Sequence, residues 1–453
     1  MNIYDLIFTP FYLAIFYALA FWLRPKFTNK VNRKYFIPAL TLKLIGAIAV
    51  GLIYWFYYGN GSASGDTFNF YKHIEILYEA FKASPSVWLK LMLSKGEFDS
   101  DTAQYASRLL WYNAPTEFLI VKIGSLFSIL CFNTYTVIAI FFAIFSFLGI
   151  WQLFATFFRL FPILHNKFAI ACFYLPSVFF WGSGLLKDSI TMGALGWLFF
   201  GFYQATIEKK KVITSTIIII ISATLIYSIK AYILISFIPP ALYWVFLENN
   251  NRIKSPVLRK LAIPFFLSLG ILAAYIGVTN LTEGNTKYDI DKLGEQSRIN
   301  TTYLSKQVYT GSAYDIGIFD GSLGSLLTVG PQAVNVALYR PYLWEVKNPV
   351  MLLSAIEATL FIFLTASILL RTGLFKSIRL ISSQPILTFC FVFSIILAFG
   401  VGTNSGNFGT LVRYKIPFMP FYLSALYIMN AYVKKRKKSS QIRTLVPAGK
   451  AVI

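Results

Sequence analysis

The stretch Leu6–Leu23, LIFTPFYLAIFYALAFWL, carries no charge and is followed at once by Arg24, Pro25 and Lys26. As a helix rising ~1.5 Å per residue it is close to the ~30 Å depth of a bilayer's hydrocarbon core. No basic residue precedes it, and the basic cluster comes behind. That order is the reverse of a secretory signal, which needs a positive leading region and a small-residue cleavage site. The segment therefore reads as an uncleaved anchor with its N-terminus outside.

The pattern recurs along the chain. Further apolar segments lie near 36–58, 117–132, 135–157, 168–181, 189–206, 213–229, 232–246, 261–279, 348–370, 385–401 and 411–431, making twelve candidates. The composition agrees: over 453 residues, 57% are hydrophobic and only 13% charged, with a mean hydropathy of +0.62. A chain so apolar is not a soluble enzyme, a secreted disulfide scaffold or a disordered segment. Cys131, Cys172 and Cys390 fall inside apolar runs without ligand spacing, so neither a disulfide framework nor a zinc site is expected.

The net charge of +22 has a specific location. Arg24–Lys34, Arg159 and Lys167, Lys209–Lys211, Arg252–Lys260, Arg371–Arg379 and Lys434–Lys450 together hold 24 of the 41 Lys and Arg, with only Glu208 and Glu248 beside them. That accounts for the whole excess. Such basic stretches between apolar runs follow the positive-inside rule, whereas a nucleic-acid groove would gather charge on one folded domain. Nucleic acid is therefore not an expected partner.

An outside N-terminus and a basic cytoplasmic tail, 432–453, require an odd number of crossings. The short 117–132 segment, which contains Lys122, reads as interfacial or re-entrant. The expected fold is an all-α, polytopic integral membrane protein of about 11 transmembrane helices, one multi-pass domain over 1–453. Two external loops, 59–116 and 280–347, carry amphipathic or re-entrant helices and hold 13 of the 19 carboxylates. In the first, Phe70, Ile74, Leu77, Phe81 and Trp88 recur at roughly helical spacing, which predicts a helix lying along the membrane surface. The second ends in the semi-apolar Leu323–Tyr339, read as interfacial or re-entrant.

Phosphate-binding, dinucleotide, HExxH and GxSxG motifs are absent, and His73 and His165 are the only histidines. Chemistry then rests on charges at or near the external membrane border. Asp66 either serves as a general base on an acceptor hydroxyl or caps the following helix. Lys187 and Asp188 either neutralise each other or leave Asp188 to cap its helix. Lys230, with almost no loop around it, either snorkels to headgroups or meets an anion. Arg340 and Glu345 form an interfacial pair or part of a binding site, and His73 in the first loop is a further substrate-binding candidate. Arg413 starts the last helix on the external side, where a guanidinium suits phosphate oxygens.

Several of these segments resemble a known group. Gly65-Asp66-Thr67-Phe68-Asn69-Phe70-Tyr71 after an early span resembles the first external loop of polytopic glycosyltransferases of the GT-C type. Leu175-Pro176-Ser177 through Lys187-Asp188 is similar to their middle helices. Tyr339-Arg340-Pro341-Tyr342-Leu343-Trp344-Glu345 and Arg413-Tyr414-Lys415-Ile416-Pro417 are similar to segments of bacterial exopolysaccharide and O-antigen polymerase-like proteins. The resemblance implies transfer of sugar from a polyprenyl-phosphate or polyprenyl-pyrophosphate donor to a cell-envelope glycan acceptor, on the external face of a bacterial inner membrane. Asp66 would be catalytic, with Arg340, Arg413, Lys187, Lys230, His73, Asp188 and Glu345 binding substrate. No cofactor is firmly implied, and a divalent cation is the one left open. A transporter or flippase of anionic or lipid-linked substrates is the alternative class, and a scaffold without chemistry is the third.

Overall fold

In lipid, a backbone group must find its hydrogen-bond partner within its own segment or in a closed barrel, which leaves helices for an open chain. The computed structural model describes residues 3–249, 293–306, 312–317, 320 and 322–445. Among these the regular structure is all helix, with no strand beyond one bridge between Ala313 and Asn407. It packs as two compact units, Met1–Leu234 and Ile235–Ile453, where the sequence reads a single domain.

The first unit contains α1 (Ile3–Phe27), α2 (Arg33–Leu52), α3 (Gly65–Ala83), α4 (Pro85–Leu93), α5 (Ala103–Ala106), α6 (Pro115–Leu130), α7 (Tyr135–Leu160), α8 (His165–Phe173), α9 (Pro176–Trp181), α10 (Lys187–Phe202) and the start of α11 (Val212–Asn249). The second holds the rest of α11, then α12 (Leu293–Lys306), α13 (Leu323–Thr328), α14 (Gly330–Tyr339), α15 (Pro349–Thr372), α16 (Leu374–Ser383), α17 (Pro385–Asn404), α18 (Phe408–Tyr414) and α19 (Met419–Leu445).

Among the described residues, 7 helices are long and apolar enough to cross a membrane, or 8 if α18 and α19, bent by 69°, form one span. The chain is thus a multi-pass membrane protein. The number differs from the expected 11 for identifiable reasons. The 213–229 and 232–246 segments are two helices that run on from one another as α11 and meet at a kink at Lys230 (φ −145°, ψ 69°), so they count as one apolar stretch. Pro176 opens a new helix, so 168–181 is divided between α8 and α9. Helix α6, at 16 residues, is not among the long apolar helices, in keeping with the reading of 117–132 as a segment that does not span. The 261–279 segment and the basic run Arg252–Lys260 lie outside the described residues.

Small residues set the closest packing. A methyl built on Gly149 of α7 would fall 1.8 Å from the carbonyl oxygen of Gly193 in α10, and one on Gly196 would fall 2.0 Å from that of Gly149. The two backbones therefore touch, as expected where van der Waals fit rather than water exclusion drives helix association. The same device recurs in the second unit, where a methyl on Gly402 of α17 would meet the Ala333 carbonyl of α14 at 2.2 Å. Helix α14, at ten residues, is too short to cross and is buried against α17 along Ala333, Val336 and Ala337.

The first loop departs from the surface-lying helix predicted for it. Phe70, Ile74 and Leu77 of α3 form a stripe that is fully or nearly fully buried, and α6 packs upon it. A methyl at Gly124 of α6 would collide with Ile74 Cδ1 at 2.2 Å, and Trp88 Nε1 donates to Ser125 Oγ at 2.9 Å. Another part of the protein, not the bilayer, covers this face.

Candidate functional site

Asp66 lies in the first turn of α3, half-buried, and Ser64 occupies the N-cap position. The chain enters this helix through Gly65 at φ +70°, where a methyl would strike the Tyr54 ring at 2.3 Å. Glycine is therefore required immediately before Asp66. A carboxylate in the first turn is favoured by the helix dipole.

His73 is held on both sides. Its Nδ1 donates to the Asn69 carbonyl (2.7 Å), its Nε2 accepts the Leu110 N–H (3.2 Å), and its ring lies 4.6 Å from that of Trp111. This is a neutral imidazole used to fasten the 94–114 loop to α3. Burial pushes its pKa below the ordinary 6.5, with Lys72 adding to the effect and the Asn69 bond opposing it. The folded ring therefore binds its proton more weakly than the unfolded one. Its contribution is complete above the ordinary value and is lost as pH falls through the lower folded value. Amide exchange at Leu110 is expected to quicken on acidification through that range in the native protein. In His73→Gln it should already be fast near neutrality and change little with pH.

The N-terminus of α10 gathers four charges. Lys187 pairs with Glu117 of α6 and contacts Thr116 Oγ1 at 3.3 Å. Asp188 pairs with Lys230, the residue at which α11 breaks. Asp188 is fully buried and the Lys230 side chain is 7% exposed, so Lys230 does not snorkel. Nor do Lys187 and Asp188 neutralise each other, because each has a partner from a different helix. Glu117 is the member that the sequence did not single out. It reads as the edge of an apolar segment, and nothing local marks its partner.

Two further buried charges are structural. Lys43, in the middle of α2, donates to Ser146 Oγ (3.0 Å), Val178 O (3.0 Å) and Gly182 O (2.7 Å), which uses all three of its N–H bonds. The two carbonyls belong to the end of α9, so the cation caps a broken helix. Asp5 of α1 accepts the Thr136 N–H at 2.9 Å and so caps α7 from another helix.

The second unit holds its own cluster. Glu345 takes Nε and Nη2 of Arg340 in a two-pronged pair, and also accepts the Tyr342 N–H at 2.8 Å. Burial pushes the Glu345 carboxyl up, but these bonds outweigh it and leave it below the usual carboxylate range. The guanidinium stands 5.3 to 5.8 Å from the rings of Phe408, Tyr342 and Tyr314. Phe408 and Tyr314 are brought together because Phe408 N donates to Ser312 O (2.9 Å) and Tyr314 N to Gly406 O (3.2 Å). Nη1 of Arg340 makes no hydrogen bond among the described residues. Lys415 Nζ donates to the Arg340 carbonyl at 3.2 Å and is close enough to buried Glu357 to interact electrostatically. Arg413, half-buried, lies two residues before Lys415 at the end of α18, where the chain bends into α19.

The arrangement offers an oriented guanidinium with one edge locked and aromatic walls, and a Lys that donates to its backbone carbonyl. Such groups suit a phosphate or pyrophosphate. No three His, Cys, Asp or Glu side chains come together among the described residues, so these residues form no ready-made cage for a divalent cation. Compared with protein-family models, with curated proteins and with solved structures, the chain gives no match.

Proposed function

We propose that the chain is a glycosyltransferase or polysaccharide polymerase of the bacterial inner membrane, using a polyprenyl-phosphate or polyprenyl-pyrophosphate sugar donor on the external face. In this reading the acceptor hydroxyl attacks the anomeric carbon while the bond from that carbon to the phosphate oxygen breaks. The electron pair leaves with the phosphate, and Asp66 takes the hydroxyl proton. Positive charge grows on the sugar and negative charge on the leaving group, so fixed cations at the phosphate lower the barrier.

The observation that carries this reading is the state of Arg340. Glu345 locks its Nε/Nη2 edge within an aromatic wall, leaving Nη1 to be offered to an anion. Arg413 is the second phosphate ligand, and Lys415 supports Arg340 through its carbonyl. Of the other candidate binding residues, Lys187, Asp188 and Lys230 are engaged in ion pairs and His73 in the loop clasp.

A lysine at 340 keeps the charge and can still pair with Glu345, but loses the planar fork. A charge-assisted hydrogen bond contributes ~1.5–3 kcal/mol, so Arg340→Lys is expected to weaken donor binding by roughly 10- to 100-fold at unchanged protein level. Unchanged donor affinity in Arg340→Lys removes the phosphate role.

The transporter reading is favoured by a different observation, the broken helices at Lys230 and between α18 and α19. Transporters commonly bind their substrates at such breaks.

A further inference from the structure

Helix α16 is the link between two long apolar helices, α15 and α17, which fixes it at one membrane boundary. The chain leaves α15 through Gly373 (φ +76°), and α16 is tied down on one side. Ser377 and Leu380 are buried, Thr372 Oγ1 and Ser377 Oγ share a hydrogen bond of 2.7 Å, and Thr388 Oγ1 donates to Ile381 O at 2.8 Å. The rest of the helix points away from the protein in two distinct sectors. Leu374 and Ile378, four residues apart, share a face with Phe375 beside them. All three are exposed, Phe375 by 86%, and they continue the exposed Leu370 (88%) at the end of α15. Lys376 and Arg379, three residues apart, occupy the other exposed sector, and Arg371 is exposed just before them.

Charge on α16 and the stretches that flank it has one sign. No carboxylate follows Glu357 anywhere in the chain. Tyr432 of α19 donates to Gln384 Oε1 at 3.2 Å, which brings the exposed Lys434 and the start of the Lys434–Lys438 run to the C-terminal end of α16. An apolar sector that would be costly in water therefore adjoins a cationic sector, at the level where hydrocarbon meets headgroup.

We propose that α16 is a docking surface for anionic phospholipid headgroups. Leu374, Phe375 and Ile378 enter the acyl boundary, and Lys376 and Arg379, with Arg371 and Lys434 beside them, hold the headgroup phosphates. The positive-inside pattern puts this boundary in the cytoplasmic leaflet, where anionic lipid supplies the complementary charge. The surface lies apart from the Arg340 cluster in sequence and does not depend on the transferase reading.

The test uses the full chain. In nanodiscs of phosphatidylcholine containing phosphatidylglycerol, a spin label on Phe375→Cys should be reached by oxygen, and one on Lys376→Cys by a water-soluble nickel chelate. Cys131, Cys172 and Cys390 are buried, so the introduced thiol takes the label. In native mass spectrometry of detergent-purified protein, phosphatidylglycerol should be retained over phosphatidylcholine. Each surface cation contributes roughly fivefold, so Lys376→Gln with Arg379→Gln should reduce that preference by roughly 25-fold. A label at 375 that is open to the nickel chelate overturns the insertion. An undiminished preference for phosphatidylglycerol in the double variant, or none in the native protein, overturns the headgroup assignment.

Discussion

Asp188→Asn or Lys230→Met, made singly, is expected to destabilise the folded protein by ~3–5 kcal/mol, because each leaves the other charge buried without its counter-ion. The pair sits where the cost is greatest: Asp188 is fully buried in the first turn of α10, and Lys230 is the one non-helical residue within α11. Combining the two substitutions removes both charges, and replacing a buried pair by neutral groups is commonly near neutral. The double variant should therefore recover most of the melting temperature lost by either single variant, read on detergent-purified protein. Losses that simply add would show that the two residues are not coupled.

Asp66→Asn is expected to have the largest effect on activity and little on folding. Removing a first-turn charge costs ~0.3–1 kcal/mol through the helix dipole, and asparagine fits the same space. Removing a general base lowers a rate by ~10²–10⁴. Protein level and melting temperature should stay near those of the native chain while glycan assembly falls by that factor. Normal assembly in Asp66→Asn would reduce the residue to a structural role at the start of α3.

The long spans were legible because hydrophobic length is a local property. Leu6–Leu23 falls within α1, and the segments near 135–157, 348–370 and 385–401 have counterparts in α7, α15 and α17. Even the break at Lys230 falls between the two segments that the sequence separates there. What the sequence did not supply was the partner of each charge. Glu117 and Lys187 are 70 residues apart and Asp188 and Lys230 are 42 apart, and no spacing rule connects either pair. For the same reason the stripe on α3 reads equally well as facing lipid or protein, until α6 is seen lying upon it. Lys43 shows the limit from the other side. A lone cation inside a span suggests function, yet three acceptors from α7 and the end of α9 satisfy it completely.

Transfer and transport differ in the fate of one bond. The decisive measurement supplies the purified protein, reconstituted in liposomes, with a polyprenyl-pyrophosphate sugar labelled in both the sugar and the lipid, together with acceptor glycan. Transfer predicts that the two labels separate, with sugar on the acceptor and free polyprenyl pyrophosphate in the bilayer, and that Asp66→Asn stops the separation while still binding donor. Intact, doubly labelled donor moving between leaflets with no cleavage would contradict the transferase account and establish the transporter in its place.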